Sequence, residues 1–240
     1  MVIDVSTSRS EIVLREGDLV VTGRLVDASN ATLLATASLN DVDITCIYKP
    51  IAGERPLWDF PDGTLANREY AAYLLSRDSG LNVVPLTVLR DGPFGSGMVQ
   101  VWIDTDESCD RIELFQSDDL HLRKMALFDA IINNTDRKIG HLLPTVDGQV
   151  FGCDHGVTFH SEDKLRTVLW QWSGQEFTEQ EQKLLENLEA KIGSALGDEL
   201  QTLITAEEFD ALVFRVETLI AAKTFPVPST EWPAVPWPPF

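Results

Sequence analysis

Hydrophobic residues follow two different patterns in this chain, one before and one after about residue 104. Before it they alternate or cluster in short runs between turn residues; after it they recur every three or four positions, as in residues 120–132 and 209–220. Short alternating runs are typical of β-strands, and the longer spacing is typical of helices. The pattern predicts an α+β protein with a β-rich N-terminal part and a mainly helical C-terminal part.

The N-terminal part is predicted to form an antiparallel meander, one helix and two further strands. Thr64 is expected to cap a helix over residues 65–77, with Gly80 ending it. A Gly- and Pro-containing turn at 90–96 joins the last two strands. The predicted strands are 11–14, 19–25, 32–39, 44–48, 83–89 and 97–103.

The C-terminal part is predicted to begin after an acidic linker at 104–110. Capping boxes at Thr178 and Thr205 mark the starts of two helices. The final segment, 226–240, holds six of the twelve prolines and cannot be helical. It could be an extended strap or a disordered end, and its tryptophans favour the strap. The predicted units are therefore an N-terminal lobe (1–103), a C-terminal lobe (104–225) and a tail (226–240).

One stretch, residues 127–159, concentrates polar groups between apolar runs. Asp136 lies in a polar loop after a predicted buried helix, and Asp154 follows a short apolar strand. Carboxylates set against buried segments indicate a site more than a solvated face. A structural ion pair between Asp136 and Arg137 remains an alternative, and His141 could be a buried core histidine.

Composition narrows the partners that such a site could have. The chain has 240 residues with 38 acidic and 19 basic side chains, a formal net charge of −19. That charge argues against nucleic acid and against stable association with an anionic membrane, since both need clustered Lys and Arg. The start of the chain lacks a signal-peptide pattern, and no apolar run approaches a membrane span. Three widely spaced cysteines suggest reduced thiols, so a cytoplasmic location is expected.

The candidate residues together satisfy the needs of phosphoryl transfer. That chemistry requires a cation on the nucleotide phosphates, a carboxylate that orients the attacking hydroxyl and oxygen-rich ligands for a metal ion. Lys49, at a predicted strand end, could be the cation and Glu69, on the following helix, its partner. Asp136 could orient the hydroxyl, while Asp154 and His141 could hold the metal.

Two motifs carry a resemblance to a known family. The segment Asn134-Thr-Asp-Arg137, followed by His141, and the segment Asp154-His-Gly156 resemble the catalytic and metal-binding segments of the phosphatidylinositol 3-/4-kinase superfamily. The match is closest to type II phosphatidylinositol 4-kinases, and the whole chain looks like a group of small actinobacterial kinase-like proteins. The resemblance implies a bilobal kinase fold that binds ATP with Mg²⁺ or Mn²⁺.

The resemblance also implies a role for each candidate residue. Asp136 and Arg137 would be catalytic, and His141 and Asp154 would bind metal. The nucleotide would contact a turn, the Lys–Glu pair and a hinge: Ser29, Asn30, Lys49, Glu69, Gln100, Val101 and Trp102.

Three departures leave alternatives open. A Gly-rich phosphate loop is missing, and the turn at 27–32 stands in its place. His141 replaces an Asn, which favours Mn²⁺ over Mg²⁺, and His155 replaces a Phe. A metal-dependent kinase is the main hypothesis, with a protein or small-molecule hydroxyl as acceptor and a lipid less favoured. The alternatives are a pseudokinase that only binds nucleotide and a nucleotidyl transferase.

Overall fold

The computed structural model describes residues 5–25, 30–61 and 64–240. Its N-terminal half contains α1 (Val5–Glu16), β1 (Asp18–Arg24), β2 (Leu33–Leu39), β3 (Val42–Pro50), α2 (Leu65–Ser79), β4 (Thr87–Gly92) and β5 (Gly95–Val101). Its C-terminal half contains α3 (Arg111–Phe115), α4 (Leu120–Ile132), β6 (Leu142–Pro144), β7 (Val150–Gly152), α5 (Glu179–Ile192), α6 (Ala195–Leu200) and α7 (Ala206–Ala222). Single 3₁₀ turns lie at Ile51–Gly53 and Ile139–His141.

The first five strands form one antiparallel sheet with the order β1-β2-β3-β5-β4. In its register Leu34 faces Ile47, and Lys49 faces Met98. Because side chains alternate between the two faces of a strand, these residues share one face, and Ala35, Cys46 and Tyr48 share the other. The small antiparallel sheet and the helices that follow confirm the predicted α+β fold class.

Helix α1 covers the second face of the sheet and corrects the first predicted strand. Residues 11–14 were predicted as a strand, but they are helical, and Val13 and Leu14 are buried in a cluster with Ala35 and Ala37. A short apolar run fits a strand or a buried helix equally well. The small alanine side chains of β2 make room for a helix, which decides between the two.

Helix α2 begins by a different means from the one predicted. The Thr64 side chain makes no cap; its hydroxyl donates instead to the carbonyl of Pro61. The carboxylate of Glu54 accepts the backbone N–H groups of Leu65 (3.1 Å) and Ala66 (2.8 Å). A charge supplied from outside the helix thus satisfies the free amides at its N-terminus. Gly80 ends the helix with a φ of 82°, as predicted.

Strands β4 and β5 are offset from their predicted positions. The amides of Val83 and Val84 donate to the hydroxyl of Ser76 on α2 and do not join the sheet. Strand β4 therefore starts at Thr87, and a tight turn between Gly92 and Gly95 replaces the broad turn predicted at 90–96. Sequence periodicity alone cannot reveal a competing side-chain acceptor such as Ser76.

Most of the helices observed in the helical lobe lie where the sequence predicts them. Both capping boxes are present, with Thr178 paired to Glu181 and Thr205 to Glu208. Leu196 was predicted on the first of these two helices, but it lies in the separate helix α6. The helix ends at Gly193, whose backbone is not helical. The buried leucines are therefore divided between α5 and α6.

The Pro- and Trp-rich tail is an extended strap, as the sequence favoured. The carbonyl of Ala234 accepts hydrogen bonds from the Thr167 amide (3.1 Å) and the Trp170 indole (2.9 Å). The Pro239 carbonyl accepts the Ile139 amide at 2.9 Å. These bonds fasten the strap beside the segment 134–141.

The boundaries predicted at 103 and 225 remain predictions. Hydrophobic contacts do not separate cleanly at 103, because α2 contributes to the same buried cluster as α4, α5 and α7. Within the described parts of the chain, none of the helices combines the length and apolar character that crossing a bilayer requires.

Candidate active site

Lys49 stands at the centre of a charged cluster between the sheet and the helical lobe. Its Nζ lies 2.6 Å from Glu69 Oε1 on α2 and 2.8 Å from Asp154 Oδ1. The second oxygen of Glu69 accepts the backbone amide of His155 at 2.9 Å. Glu69 therefore holds both Lys49 and the segment that carries Asp154.

Burial and charge act against each other in this cluster. Burial alone would lower the pKa of Lys49, but attraction by Asp154 and Glu69 outweighs it and raises that pKa above its usual value. Lys49 holds the pKa of Asp154 well below its ordinary range, whereas burial raises the pKa of Glu69 despite the lysine. The cluster therefore presents a fixed ammonium and an ionised Asp154 at neutral pH.

Asp154 sits in an unusual backbone conformation. Its φ is 62°, in the left-handed region that non-glycine residues visit rarely and that Asp tolerates better than most. About half of its side chain remains exposed (47%), in contrast to Glu69 at 2%. The carboxylate is thus held by Lys49 on one side and open to solvent on the other.

The loop after α4 carries Asp136. Asn133 ends the helix in a left-handed conformation, and Asn134 accepts the amide of Asp136 with its side-chain oxygen. The hydroxyl of Thr135 donates to the Val157 carbonyl. Asp136 itself is 31% exposed and pairs with Lys138 at 3.0 Å. Its neighbours fix the loop and leave its carboxylate accessible.

Arg137, predicted to be catalytic, lies elsewhere. Its side chain is fully buried, where a substrate cannot reach it. Its guanidinium forms an ion pair and hydrogen bonds with the buried carboxylate of Asp129 on α4. It also contacts the Cys153 carbonyl (3.2 Å) and His155 Nε2 (2.7 Å). Arg137 is therefore a positioning residue that ties the Asp136 loop to the Asp154 segment. The alternative of an Asp136–Arg137 ion pair is not observed, because Asp136 pairs with Lys138 and Arg137 with Asp129.

His155 has a defined protonation state in this arrangement. Arginine only donates, so His155 Nε2 accepts and the proton belongs on Nδ1, 4.0 Å from Glu69 Oε2. Burial, reinforced by the Arg137 charge, lowers the pKa of His155 well below its usual value. His155 is therefore a neutral core residue that packs edge-on against Phe128.

His141 and Asp154, the predicted metal ligands, lie side by side. Nε2 of His141 lies 3.6 Å from Asp154 Oδ2, a separation that two ligands of one ion can span. Burial lowers the pKa of His141, which keeps the imidazole neutral as ligation requires. Among the described residues no three His, Cys, Asp or Glu side chains converge on one point. The pair fits an ion whose remaining ligands come from phosphate and water, as is usual for Mg²⁺ with a nucleotide.

One cavity joins several of the candidate residues, while His141 is not among the residues that line it. It has a volume of about 560 Å³ and is lined by Lys49, Glu69, Asp136 and Asp154, together with Asn30 and residues of the 54–60 loop. This size is within the range of small-ligand pockets. The cavity brings the predicted cation, its partner and both aspartates to one space.

The predicted hinge residues lie apart from this cavity. The amides of Val101 and Trp102 donate to the carbonyls of Leu86 and Thr45, and the Gln100 side chain donates to Thr87. Trp102 and Val101 line a second cavity of about 460 Å³ with Leu34, Thr45 and others. Ser29 lies outside the described residues, and Asn30 uses its side-chain oxygen to accept the Arg55 amide.

Several residues of the site were not singled out by sequence. Asp129 is fully buried, and its carboxylate accepts hydrogen bonds from the side chains of Arg137, Asn134 and Thr167. A charged residue inside the apolar run LFDAII was the signal, because a buried carboxylate needs partners. Glu54, Arg166 and Trp232 also line the cavity, and they carried no local signal.

Comparison with known proteins shows which family the chain belongs to. No family model matches the chain. It is 42% identical to protein Rv2133c of Mycobacterium tuberculosis, over an alignment that covers 95% of this chain and 94% of that protein. The chain belongs to the family of Rv2133c. The name of that relative states no activity, so it leaves the function open.

Solved structures of kinases share the fold. The Golgi casein kinase matches with a TM-score of 0.58 over 92% of this chain and 75% of that chain, at 14% identity. Its Mn/ADP-bound form matches with a TM-score of 0.60 over 91% and 75%, at 14% identity. The Helicobacter pylori proinflammatory kinase CtkA matches with a TM-score of 0.52 over 88% and 94%, at 12% identity. The fold is therefore kinase-like, while the narrower resemblance to phosphatidylinositol kinases stays a prediction.

Proposed function

We propose that this protein is an ATP- and divalent-metal-dependent phosphotransferase that acts on a hydroxyl group. The observation that carries the proposal is the Lys49 ammonium between Glu69 and Asp154, in a cavity that Asp136 also lines. Catalysis of phosphoryl transfer consists mostly of positioning and charge stabilisation, and these residues supply both.

Each residue has a distinct task in the proposed reaction. Lys49 would bind phosphate oxygens of the nucleotide, held in place by Glu69. Asp136 would accept a hydrogen bond from the acceptor hydroxyl and orient it towards the phosphorus. Asp154 and His141 would bind Mg²⁺ or Mn²⁺, which supplies neutralisation of phosphate charge when present.

The face of the sheet that carries Lys49 suits the rest of the nucleotide. Leu34 and Ile47 lie on that face, and Trp102 lines the second cavity near the predicted hinge. An apolar surface there could cover the base. The Golgi casein kinase structure with Mn/ADP bound makes Mn²⁺ a sensible first metal to test.

A nucleotide-binding module without transfer activity is the second candidate. It is favoured by the small metal-ligand set, in which a histidine joins a single carboxylate. Nucleotidyl transfer on the same fold is a third, and the mass of the modified product separates it from phosphate transfer.

The test is metal-dependent turnover of ATP by purified protein, compared with Asp136→Asn. Loss of a positioned carboxylate should lower turnover by about 10²–10⁴-fold. Asp136 is partly exposed, so this variant should still fold, which circular dichroism checks. The matched control is Asp198→Asn, an exposed carboxylate on α6, which should keep full activity. ATP binding with equal, negligible turnover in both variants and the wild type would instead identify the binding module.

A further inference from the structure

The outer part of the cavity contains cationic side chains that the proposed nucleotide roles do not use. Arg166 and Arg55 both line the cavity. Within residues 5–25, 30–61 and 64–240, neither guanidinium has a carboxylate within ion-pair distance, and the buried Nε of Arg166 has no hydrogen-bond partner. Arg55 is exposed, whereas Arg166 is half-buried, so in a chain with a net charge of −19 it is Arg166 that requires explanation.

The carboxylates of the same cavity are already engaged. Glu69 and Asp154 pair with Lys49, Asp136 pairs with Lys138, and Asp59 pairs with Lys164. Glu54 uses both oxygens on the amides of α2. Among the described residues the two arginines therefore have no carboxylate partner, and a guanidinium is well suited to recognise an anion from a ligand.

Arg166 is attached directly to the loop that holds Asp136. Its backbone amide donates to the Asn134 carbonyl (2.9 Å), and its carbonyl accepts the Arg137 amide (3.1 Å). The backbone of Arg166 is therefore fixed on the Asp136 side of the cavity that its side chain lines. That is the side on which the acceptor hydroxyl would be placed.

A wall of two tryptophans borders the cavity that Arg166 lines. The ammonium of Lys164, which is almost fully buried, lies 4.7 Å from the ring centre of Trp232 in the strap. It lies 5.0 Å from the ring centre of Trp58 in the 54–60 loop. Cation–π attraction thus joins two separate segments through one lysine. Both tryptophans line the cavity. Trp58 is 84% exposed and Trp232 is half-buried, so Trp232 is the part of this wall that would narrow the space for an extended polypeptide.

From these observations we infer that the outer cavity is an acceptor subsite for a small hydroxyl compound that carries a carboxylate or phosphate, which Arg166 binds. This inference rests on the proposed phosphotransferase function. In the reaction the bond between the γ-phosphorus and the β,γ-bridging oxygen breaks, and a bond to the acceptor oxygen forms. ADP leaves, and the hydroxyl proton passes through Asp136 to water.

The first experiment measures binding of small probes by tryptophan fluorescence, in the presence of ADP and Mn²⁺. Glycerol 3-phosphate and glycerate carry the anion, and glycerol is the matched neutral alcohol. Saturable binding of the two anions, but not of glycerol, is expected. Arg166→Ala should weaken that binding by about tenfold or more, as loss of a charge-assisted contact implies. Arg166→Lys should keep part of it, and Arg111→Ala, at an exposed arginine on α3, should keep all of it.

The outcomes separate this inference from the proposed function. ADP affinity is measured in the same variants. Failure of the wild type to bind nucleotide removes the proposed function, whereas nucleotide binding without anion binding overturns only the subsite. If Arg166→Ala lost affinity for ADP and for the anions equally, Arg166 would be assigned to nucleotide binding. That result would also overturn the acceptor subsite.

A second experiment tests the size limit. Phosphate transfer from ATP to a serine-containing peptide is compared between the wild type and Trp232→Ala. Greater peptide transfer by the variant is expected, because the wall is opened. A wild type that already prefers the peptide to every small anionic alcohol tested would contradict the inference.

Discussion

Two clusters of charged side chains lie next to each other in this protein, and they differ in how much solvent reaches them. Lys49, Glu69 and Asp154 form one cluster, and it opens into the cavity on the Asp154 side. Asp129 and Arg137 form the other, and both side chains have no exposed surface. His155 links the clusters, because its amide bonds to Glu69 and its ring bonds to Arg137.

The difference shows how similar chemistry serves two purposes. In the sealed cluster every polar atom of Asp129 is used by protein donors, so the cluster fixes the loop and can do nothing else. In the open cluster about half of the Asp154 side chain remains exposed to the cavity and solvent. Exposure at one end, more than residue type, separates a framework ion pair from a candidate site.

The largest expected effect comes from breaking the sealed cluster. Asp129→Ala leaves Arg137 buried without a counter-charge, and we expect the free energy of unfolding to fall by about 3–5 kcal/mol. Urea denaturation measures this. Glu186→Ala, at an exposed position on α5, should change it by less than about 0.5 kcal/mol. A loss of under about 1 kcal/mol in Asp129→Ala would show that the sealed cluster is not a framework.

An intermediate effect should appear when the open cluster loses its cation. Lys49→Met removes the charge that opposes the effect of burial on Glu69, so the folded-state pKa of Glu69 rises further above its unfolded value. A raised pKa gives stability that is present at low pH and lost as pH rises through the folded pKa. The pKa of Asp154 also loses the lysine that depresses it, which removes stability present above its unfolded pKa.

Both changes act in the same direction with pH. The Asp154 part of the stability gap between the wild type and Lys49→Met is nearly complete once the pH exceeds the unfolded value of 3.8. Glu69 should widen the gap further from about pH 4 to pH 7, by about 1–3 kcal/mol. Denaturation curves at several pH values measure it. Lys138→Met, which breaks the more exposed pair with Asp136, should give a nearly constant gap of under about 1 kcal/mol. A constant gap for Lys49→Met would mean that the open cluster is as well solvated as a surface pair.

The smallest effect concerns Glu54, which borders the cavity but bonds to the scaffold. Its carboxylate caps α2, so Glu54→Ala should cost about 0.5–2 kcal/mol, like loss of an ordinary cap. Thr205→Ala, which removes the local cap of α7, is the matched comparison and should cost a similar amount. A fall in ATP turnover without any change in stability would move Glu54 from the scaffold to the site.

Much of this arrangement was predictable where residues close in sequence determine it. The order of Lys49, Glu69, Asp136 and Asp154, the two capping boxes and the extended strap could all be inferred from local patterns. The burial of Arg137 could not, because its partner Asp129 lies on the preceding helix and its other contacts lie beyond residue 150.

Other features depend on contacts that no local pattern records. The remote cap from Glu54, the Ser76 hydroxyl that excludes Val83 from the sheet and the pairing of Lys164 with two tryptophans all join distant segments. Residues 11–14 were misread for a related reason. The same four residues suit a strand or a helix, and only the alanine face of β2 selects the helix.

The strap has a consequence for how the protein is made. The amides of Ile139 and Thr167 donate hydrogen bonds to the carbonyls of Pro239 and Ala234. These two acceptor residues are synthesised after both lobes, so the bonds cannot form earlier. Contacts between such distant positions form late, since closing a long loop costs chain entropy. A nascent chain that stops before residue 234 would carry Lys49, Asp136 and Asp154 but not the backbone support beside them. The order of synthesis itself thus delays completion of the cavity until the rest of the fold is in place.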